Sequence, residues 1–189
     1  MVSREQWLKE GGIEHPTHLE TLTKPEQQER IVWLKKACGG ATEILDLGCS
    51  WGYVLNELNG SLGVDINAEN IDLAIKKFPG RRWIVGDIRK DLAQFEDKTY
   101  AIVLLCDVLE HLSMDEARRV LIQAVRIARR KVLITLPIKL SPDCALCFKH
   151  VWIPDDLQVS RLLCGICRRF NLLIRFQRTD YFFFVEIDK

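Results

Sequence analysis

The stretch Glu43–Leu58, EILDLGCSWGYVLNEL, decides the fold. Ile44–Leu47 reads as a short strand, and a helical pattern occupies Trp51–Leu58. Between them stand Gly48, Cys49, Ser50 and Gly52. Small residues at a strand-to-helix turn let the backbone approach a ligand, and the helix N-terminus offers unpaired N–H groups to it. Ser50 and Tyr53 break the G-x-G-x-x-G pattern of a dinucleotide loop, and no G-x-x-x-x-G-K-[ST] follows. The loop therefore suits a nucleoside whose far end is not a pyrophosphate.

Further along the chain the pattern repeats. Short apolar strands are expected at Glu43–Leu47, Ser61–Asp65, Arg82–Val85, Tyr100–Cys106 and Lys131–Leu136. Helices are expected at Ala68–Phe78, near Lys90–Phe95 and at Met114–Ala128. Strands alternating with helices imply a parallel sheet covered on both faces. The run YAIVLLC at Tyr100–Cys106 is apolar throughout, as a central strand should be. The chain then closes with a helix over Pro154–Phe170 and a hairpin, Leu172–Arg178 and Tyr181–Ile187. The last strand is thus expected to run antiparallel.

Before the loop, Thr23 as a cap, Pro25, early acidic residues, late basic ones and Gly39–Gly40 bound a helix from about Lys24 to Cys38. Its inner stripe is expected to hold Ile31, Val32, Leu34 and Lys35. Residues 1–40 then form an N-terminal helical extension or lid, and 41–189 the main domain. Trp7, His15 and His18 are candidates to close over the site. Deleting residues 1–22 is expected to spare folding and impair turnover.

The 189 residues are 48% hydrophobic and 28% charged, enough for one globular core and too mixed for a disordered or fibrous chain. No apolar run reaches the roughly 20 residues of a spanning helix. The polar opening residues do not read as a signal peptide, so a cytoplasmic location is expected. Net charge is +1, with an acidic first part and a basic last part. No basic stripe or nucleic-acid motif stands out, so a small-molecule partner is expected over nucleic acid, with no membrane.

Two carboxylates follow the loop at strand ends. Asp65 closes the second strand, placed to accept both hydroxyls of a ribose. Asp87, in Gly86-Asp87-Ile88, closes the third. Each alone reads equally well as a turn or cap carboxylate. Together with the loop and with Asp107-Val108-Leu109-Glu110-His111-Leu112 after the fourth strand, they form an ordered set at one sheet edge. On these motifs the chain resembles class I S-adenosylmethionine-dependent methyltransferases over about Thr42–Lys189. It is most similar to the small ones that include the ubiquinone-biosynthesis O-methyltransferases.

The resemblance implies an α/β, three-layer Rossmann-like fold with a seven-stranded sheet, mostly parallel, whose last strand is antiparallel. It implies S-adenosyl-L-methionine as cofactor, with S-adenosyl-L-homocysteine as product. Asp46 and the backbone of Gly48, Cys49, Ser50 and Gly52 would hold the methionine end. Asp65 would bind the ribose, with Ile66 on the adenine. Asp87 would bind the adenine amino group, with Ile88 on the ring. Cys106 and Asp107 would line the sulfonium side. Ser50 replaces the usual glycine, which is tolerable if its φ is negative.

Methyl transfer to oxygen, nitrogen or carbon needs a base only when the acceptor carries a proton of high pKa. His111 is the local candidate, with Glu110 to orient it; the plainer reading is that both open the next helix. Asp107, Glu110 and His111 with His150 also resemble the metal-binding residues of small-RNA 3′-end methyltransferases. Asp107 stands where those have Glu, and their longer histidine motif is absent. A metal-dependent RNA methyltransferase is therefore one alternative, and a catalytically silent protein of this fold, acting through a partner, another.

Of seven cysteines, Cys144-x-x-Cys147 and Cys164-x-x-Cys167 have a spacing compatible with zinc. A helix rises about 1.5 Å per residue, which carries Cys164 well away from the first pair, so buried thiols are the simpler expectation. His150 and Trp152 are candidates to shape an acceptor pocket. The aromatic run Tyr181–Phe184 is expected to be core strand.

Overall fold

The computed structural model describes residues 24–138, 151, 154–170 and 172–189, without the side chains of residues 165, 167 and 168. Its centre is a seven-stranded sheet: β1 (Ile44–Leu47), β2 (Leu62–Asp65), β3 (Arg82–Val85), β4 (Tyr100–Cys106), β5 (Ala128–Pro137), β6 (Leu173–Arg178) and β7 (Phe182–Asp188). The spatial order is β3-β2-β1-β4-β5-β7-β6. β1 to β5 are mutually parallel, and β7 runs antiparallel to both β5 and β6. This is the expected architecture, with the hairpin inserting its second arm beside β5. The chain reverses its direction of travel across the sheet between β1 and β4, where open α/β sheets bind ligands beyond the strand carboxyl ends.

Five helices are described: α1 (Pro25–Cys38), α2 (Tyr53–Glu57), α3 (Ala68–Lys77), α4 (Met114–Ile127) and α5 (Asp156–Phe170). Alternation along the strands divides the core. Leu45, Leu47, Val103 and Leu105 face the layer that holds Val120, Leu121 and Ala124 of α4 and Leu162 and Ile166 of α5. Ile44, Ile102, Leu104 and Cys106 face the other side, with Leu34 and Cys38 of α1 and Leu55 of α2. β4 is buried along Ala101–Cys106, as its uninterrupted apolar run requires.

Local chemistry sets the helix ends. Pro25 takes the first position of α1, and Gly39 closes it at φ 57° with its amide donating to Lys35 O. Lys24, the residue before it, supplies no side-chain cap, and Thr23 lies outside the described residues. Asn67 caps α3 by accepting from the amides of Glu69 and Asn70. Ser113 and Glu116 form a reciprocal capping box on α4.

The inner stripe of α1 differs from expectation. Ile31, Leu34 and Cys38 are buried, whereas Val32 is 65% exposed and Lys35 reaches out to Glu57. Positions 30, 34 and 38 share a face by their spacing of four, and 32 lies opposite. α2 starts at Tyr53, because the loop before it is still turning at Gly52.

Candidate active site

The candidate site is the carboxyl edge of β3, β2, β1 and β4. The β1–α2 loop folds back over β2: the amides of Gly48 and Cys49 both donate to Val64 O, at 2.8 and 3.0 Å. Gly48 and Gly52 sit at φ 82° and 86°. A Cβ at Gly48 would lie 2.5 Å from Val108 Cγ2, and one at Gly52 would enter the indole of Trp83. Only glycine fits either place, and the result is an open backbone cradle at the start of α2.

Ser50 also adopts a left-handed conformation, φ 49°. The condition under which a serine fits here without cost, a negative φ, is not met. The loop keeps the geometry that glycine serves elsewhere, and Ser50 bears the steric cost. Its amide is compensated by donating to Asp65 Oδ2 at 2.8 Å.

Four carboxylates line this edge in strand order: Asp87 after β3, Asp65 on β2, Asp46 on β1 and Asp107 after β4. Neighbouring strands lie about 4.8 Å apart, so the row spans roughly 14 Å. Asp65 is buried, accepting from Ser50 N on one oxygen and Asn67 N, at 2.9 Å, on the other. It thus does the work of a turn carboxylate while lone pairs remain for ligand hydroxyls. Burial raises its pKa, opposed by the two backbone hydrogen bonds.

Asp87 is linked to Asp65 through Gly86, whose amide donates to Asp65 O. Arg89 grips Asp87 with Nε and Nη2, each at 2.8 Å, and with its backbone amide at 3.0 Å. Burial pushes the Asp87 carboxyl up, but the Arg89 hydrogen bonds and charge bring it below the usual carboxylate range. Ile88 is buried beside it and Ile66 half-buried beside Asp65, as flanks for a flat ring require.

Asp46 differs. Its carboxylate is 1% exposed, and Oδ1 has no hydrogen-bond partner. Burial pushes its pKa up to about 7, against the pull of Arg30. Cys49 and Cys106 flank it as buried thiols whose pKa values burial also raises.

Beyond β4, Asp107 stands at φ 54°. Its Oδ1 accepts from Thr135 Oγ1 at 2.7 Å, and its Oδ2 forms an ion pair with Arg30 of α1. Arg30 is the functional candidate that the sequence reading missed. The available signal was an arginine four residues before Leu34 and eight before Cys38, on the buried face of an amphipathic helix.

Glu110 follows in a single 3₁₀ turn, Leu109–His111, and is fully buried with both carboxylate oxygens unpartnered. Burial, with the Asp107 charge second, drives its pKa well above the ordinary value. His111 is half-buried, its Nε2 4.0 Å from Glu110 Oε1, beyond hydrogen-bond length. Among the described residues no group of three or more His, Cys, Asp or Glu is arranged to hold a metal ion. Cys164 is an exposed free thiol; Cys144, Cys147, the Cys167 side chain, His150, Trp152, Trp7, His15 and His18 lie outside the described residues. Of the aromatic run, Phe182–Phe184 is buried in β7 while Tyr181 is exposed.

Comparison with known proteins agrees with this geometry. Residues 44–131 match the family model described as a methyltransferase domain. No curated protein sequence matches the chain. Among solved structures, N-methyltransferase NodS from Bradyrhizobium japonicum, in complex with S-adenosyl-L-homocysteine, superposes with a TM-score of 0.71 at 14% identity. The match covers 98% of this chain and 97% of that one. The methyltransferase domain of bacterial CtHen1 gives 0.70 at 14% identity, over 86% and 98% of the two chains. Magnesium protoporphyrin IX methyltransferase (ChlM) from Synechocystis PCC 6803 with bound S-adenosylmethionine gives 0.62 at 19%, over 100% and 85%. At such identities the likeness is one of fold.

Proposed function

We propose, from the match of residues 44–131 to the methyltransferase-domain family model, that the carboxylate row and loop bind S-adenosylmethionine for methylation of a small molecule. We read the chain as a class I S-adenosylmethionine-dependent methyltransferase from that match and from its fold, and the acceptor class and residue roles below belong to the same reading. One observation carries it. The glycine cradle and Asp65 meet beside a buried carboxylate, Asp46, whose Oδ1 awaits a donor.

The residues fit the cofactor end to end. Asp87 accepts from the adenine amino group, with Ile88 and Ile66 against the ring. Asp65 accepts from the ribose hydroxyls while its own backbone hydrogen bonds hold it still. The backbone of Gly48, Cys49, Ser50 and Gly52 and the carboxylate of Asp46 take the methionine end. Cys106 and Asp107 border the sulfonium. The bound cofactor supplies an already activated methyl group, so the protein's task is alignment and exclusion of water.

His111, at the mouth of β4, is placed to accept an acceptor proton. Burial pushes the Glu110 carboxyl well above the ordinary carboxylate range, and its Oε1 lies 4.0 Å from His111 Nε2, beyond hydrogen-bond length. Residues 1–40 serve as an extension whose helix α1 brings Arg30 to the site. The free buried thiols Cys38, Cys49 and Cys106 suit a reducing compartment, and we include the cytoplasm in the proposal. No described helix is long and apolar enough to cross a membrane.

The test is calorimetric titration with S-adenosylmethionine and S-adenosylhomocysteine, beside Asp65→Ala. Micromolar binding that the variant loses is the expected result. A folded wild type that binds neither compound overturns the reading.

A further inference from the structure

The loop after β3 closes on itself around Asp87. The Asp87 amide donates to Asp91 Oδ2 at 2.7 Å, and the Asp87 carbonyl accepts from the amides of Lys90 and Asp91. With its peptide groups taken up within the loop, what Asp87 offers a ligand is its carboxylate, whose side chain is 10% exposed.

That carboxylate is gripped by Arg89. Nε and the backbone amide of Arg89 donate to Oδ1, and Nη2 donates to Oδ2, the bidentate geometry that aligns guanidinium and carboxylate in one plane. Lys90 Nζ, 3.8 Å from Oδ2, is 62% exposed and adds only a screened charge. The remaining nitrogen of the Arg89 fork, Nη1, lies 3.8 Å from Glu116 Oε1. Glu116 is itself fixed in the capping box of α4, where its Oε2 accepts from the amide and the hydroxyl of Ser113. The clamp on Asp87 is therefore anchored in a helix beyond β4 as well as in its own loop. Charge keeps it closed. Burial raises the Asp87 carboxyl, the Arg89 hydrogen bonds outweigh that, and the bond to Asp87 raises the Arg89 guanidinium in turn.

A carboxylate can meet a purine in two ways. A 6-amino base offers an exocyclic N–H donor; a 6-oxo base offers an acceptor there and a donor on the neighbouring ring nitrogen. A carboxylate able to turn can follow the donor from one place to the other, and a clamped one cannot. Resting on the methyltransferase reading above, we propose that Arg89 is a positioning residue that sets base specificity: by fixing the Asp87 carboxylate it makes the site take a 6-amino purine and reject a 6-oxo purine. Rejection comes from the 6-oxygen facing an ionised carboxylate that neither turns to the ring N–H nor carries a proton to donate.

A residue that only braces the loop makes a different forecast, and one pair of ligands separates the two. S-inosylhomocysteine is S-adenosylhomocysteine with a 6-oxo base in place of the 6-amino one. Titration of the full chain is expected to show the wild type preferring S-adenosylhomocysteine at least about tenfold. Arg89→Met is expected to narrow that preference at least about fivefold. Arg89→Lys, which keeps the charge and loses the fork, falls between. It carries the same comparison if the methionine variant fails to fold by circular dichroism. An unchanged ratio in the folded variant, with both ligands weakened equally or neither weakened, overturns the assignment and leaves the function standing. So does a wild type that binds both ligands equally well. A wild type that binds neither ligand overturns the function and this assignment with it.

Discussion

Ser50 and Asp65, at the ends of adjacent strands, are joined by an amide-to-carboxylate hydrogen bond of 2.8 Å. It ties the carboxylate proposed to read the ribose directly to the loop proposed to hold the cofactor. The bond is made with Ser50 in the left-handed region, a conformation that an L-residue with a Cβ enters at a cost of roughly 1–2 kcal/mol. Ser50→Gly removes that cost but makes the unfolded chain more flexible, leaving a net stabilisation of about 0.5 kcal/mol. A melting temperature raised by about 1–2 °C, with S-adenosylhomocysteine affinity held, is the expected result. A lower melting temperature would refute it.

Asp46 gives the site a pH dependence. Its pKa, about 7 in the unliganded fold, lies above the ordinary 3.8 because of burial. In the proposed reading Asp46 takes the methionine end of the cofactor, whose ammonium is held better by the ionised carboxylate. Affinity for S-adenosylhomocysteine should therefore rise with pH up to about 7, by at most about tenfold per unit, and level off above. For stability without ligand the sign is opposite. Relative to the unfolded chain, the protonated Asp46 is favoured, so its contribution is full below pH 3.8 and is lost as pH rises through about 7. Asp46→Asn should flatten the affinity profile. A wild-type profile already flat from pH 5.5 to 8 would refute the assignment.

Glu110 and His111 are adjacent but should respond differently. Burial disfavours the ionised form of Glu110, so Glu110→Gln, a neutral amide of the same shape, removes little that the site uses. It should change cofactor affinity less than about threefold and leave the fold intact. His111→Ala should also keep cofactor affinity but lower kcat by roughly 10²–10⁴, the usual worth of a general base. An unchanged kcat in that variant, once an acceptor is known, removes His111 from the mechanism.

Gly52 lies against Trp83, and this pair governs the cradle. Gly52→Ala should destabilise by about 1–3 kcal/mol, both by overpacking and by its positive φ. In a Trp83→Leu background the overpacking disappears and only the backbone cost remains. A double-mutant cycle in urea should show about 1 kcal/mol or more of coupling. Strict additivity would mean that the loop avoids Trp83 by another route.

The sheet was legible in the sequence because strand and helix periods alternate cleanly from Ile44 to Ile127, and each turn carries its own chemistry. Asp65 and Asp87 were legible for the same reason, since one ends β2 and the other follows β3 by two residues. What escaped depends on contacts far apart in the chain. The φ of Ser50 is set by a carboxylate on the next strand. The partner of Arg30 is Asp107, 77 residues away. The outward turn of Val32 follows from which face of α1 meets the sheet, which a short helix with few apolar residues states weakly. The buried state of Glu110 arises from packing around a single 3₁₀ turn, a scale that periodicity does not reach.

Helix α1 rests on the far end of the chain. Trp33 stacks on Phe184 at 4.7 Å, and Glu29 accepts a hydrogen bond from Thr179, 150 residues later. During synthesis the helix leaves the ribosome early and finds part of its seat on β1 and β4, but its contacts through Trp33 and Glu29 wait until β7 has followed. Loop closure across such a separation is slow, whereas β1 to β4 can assemble from nearer neighbours. The contacts of α1 with β7 thus form last, though the helix is made early.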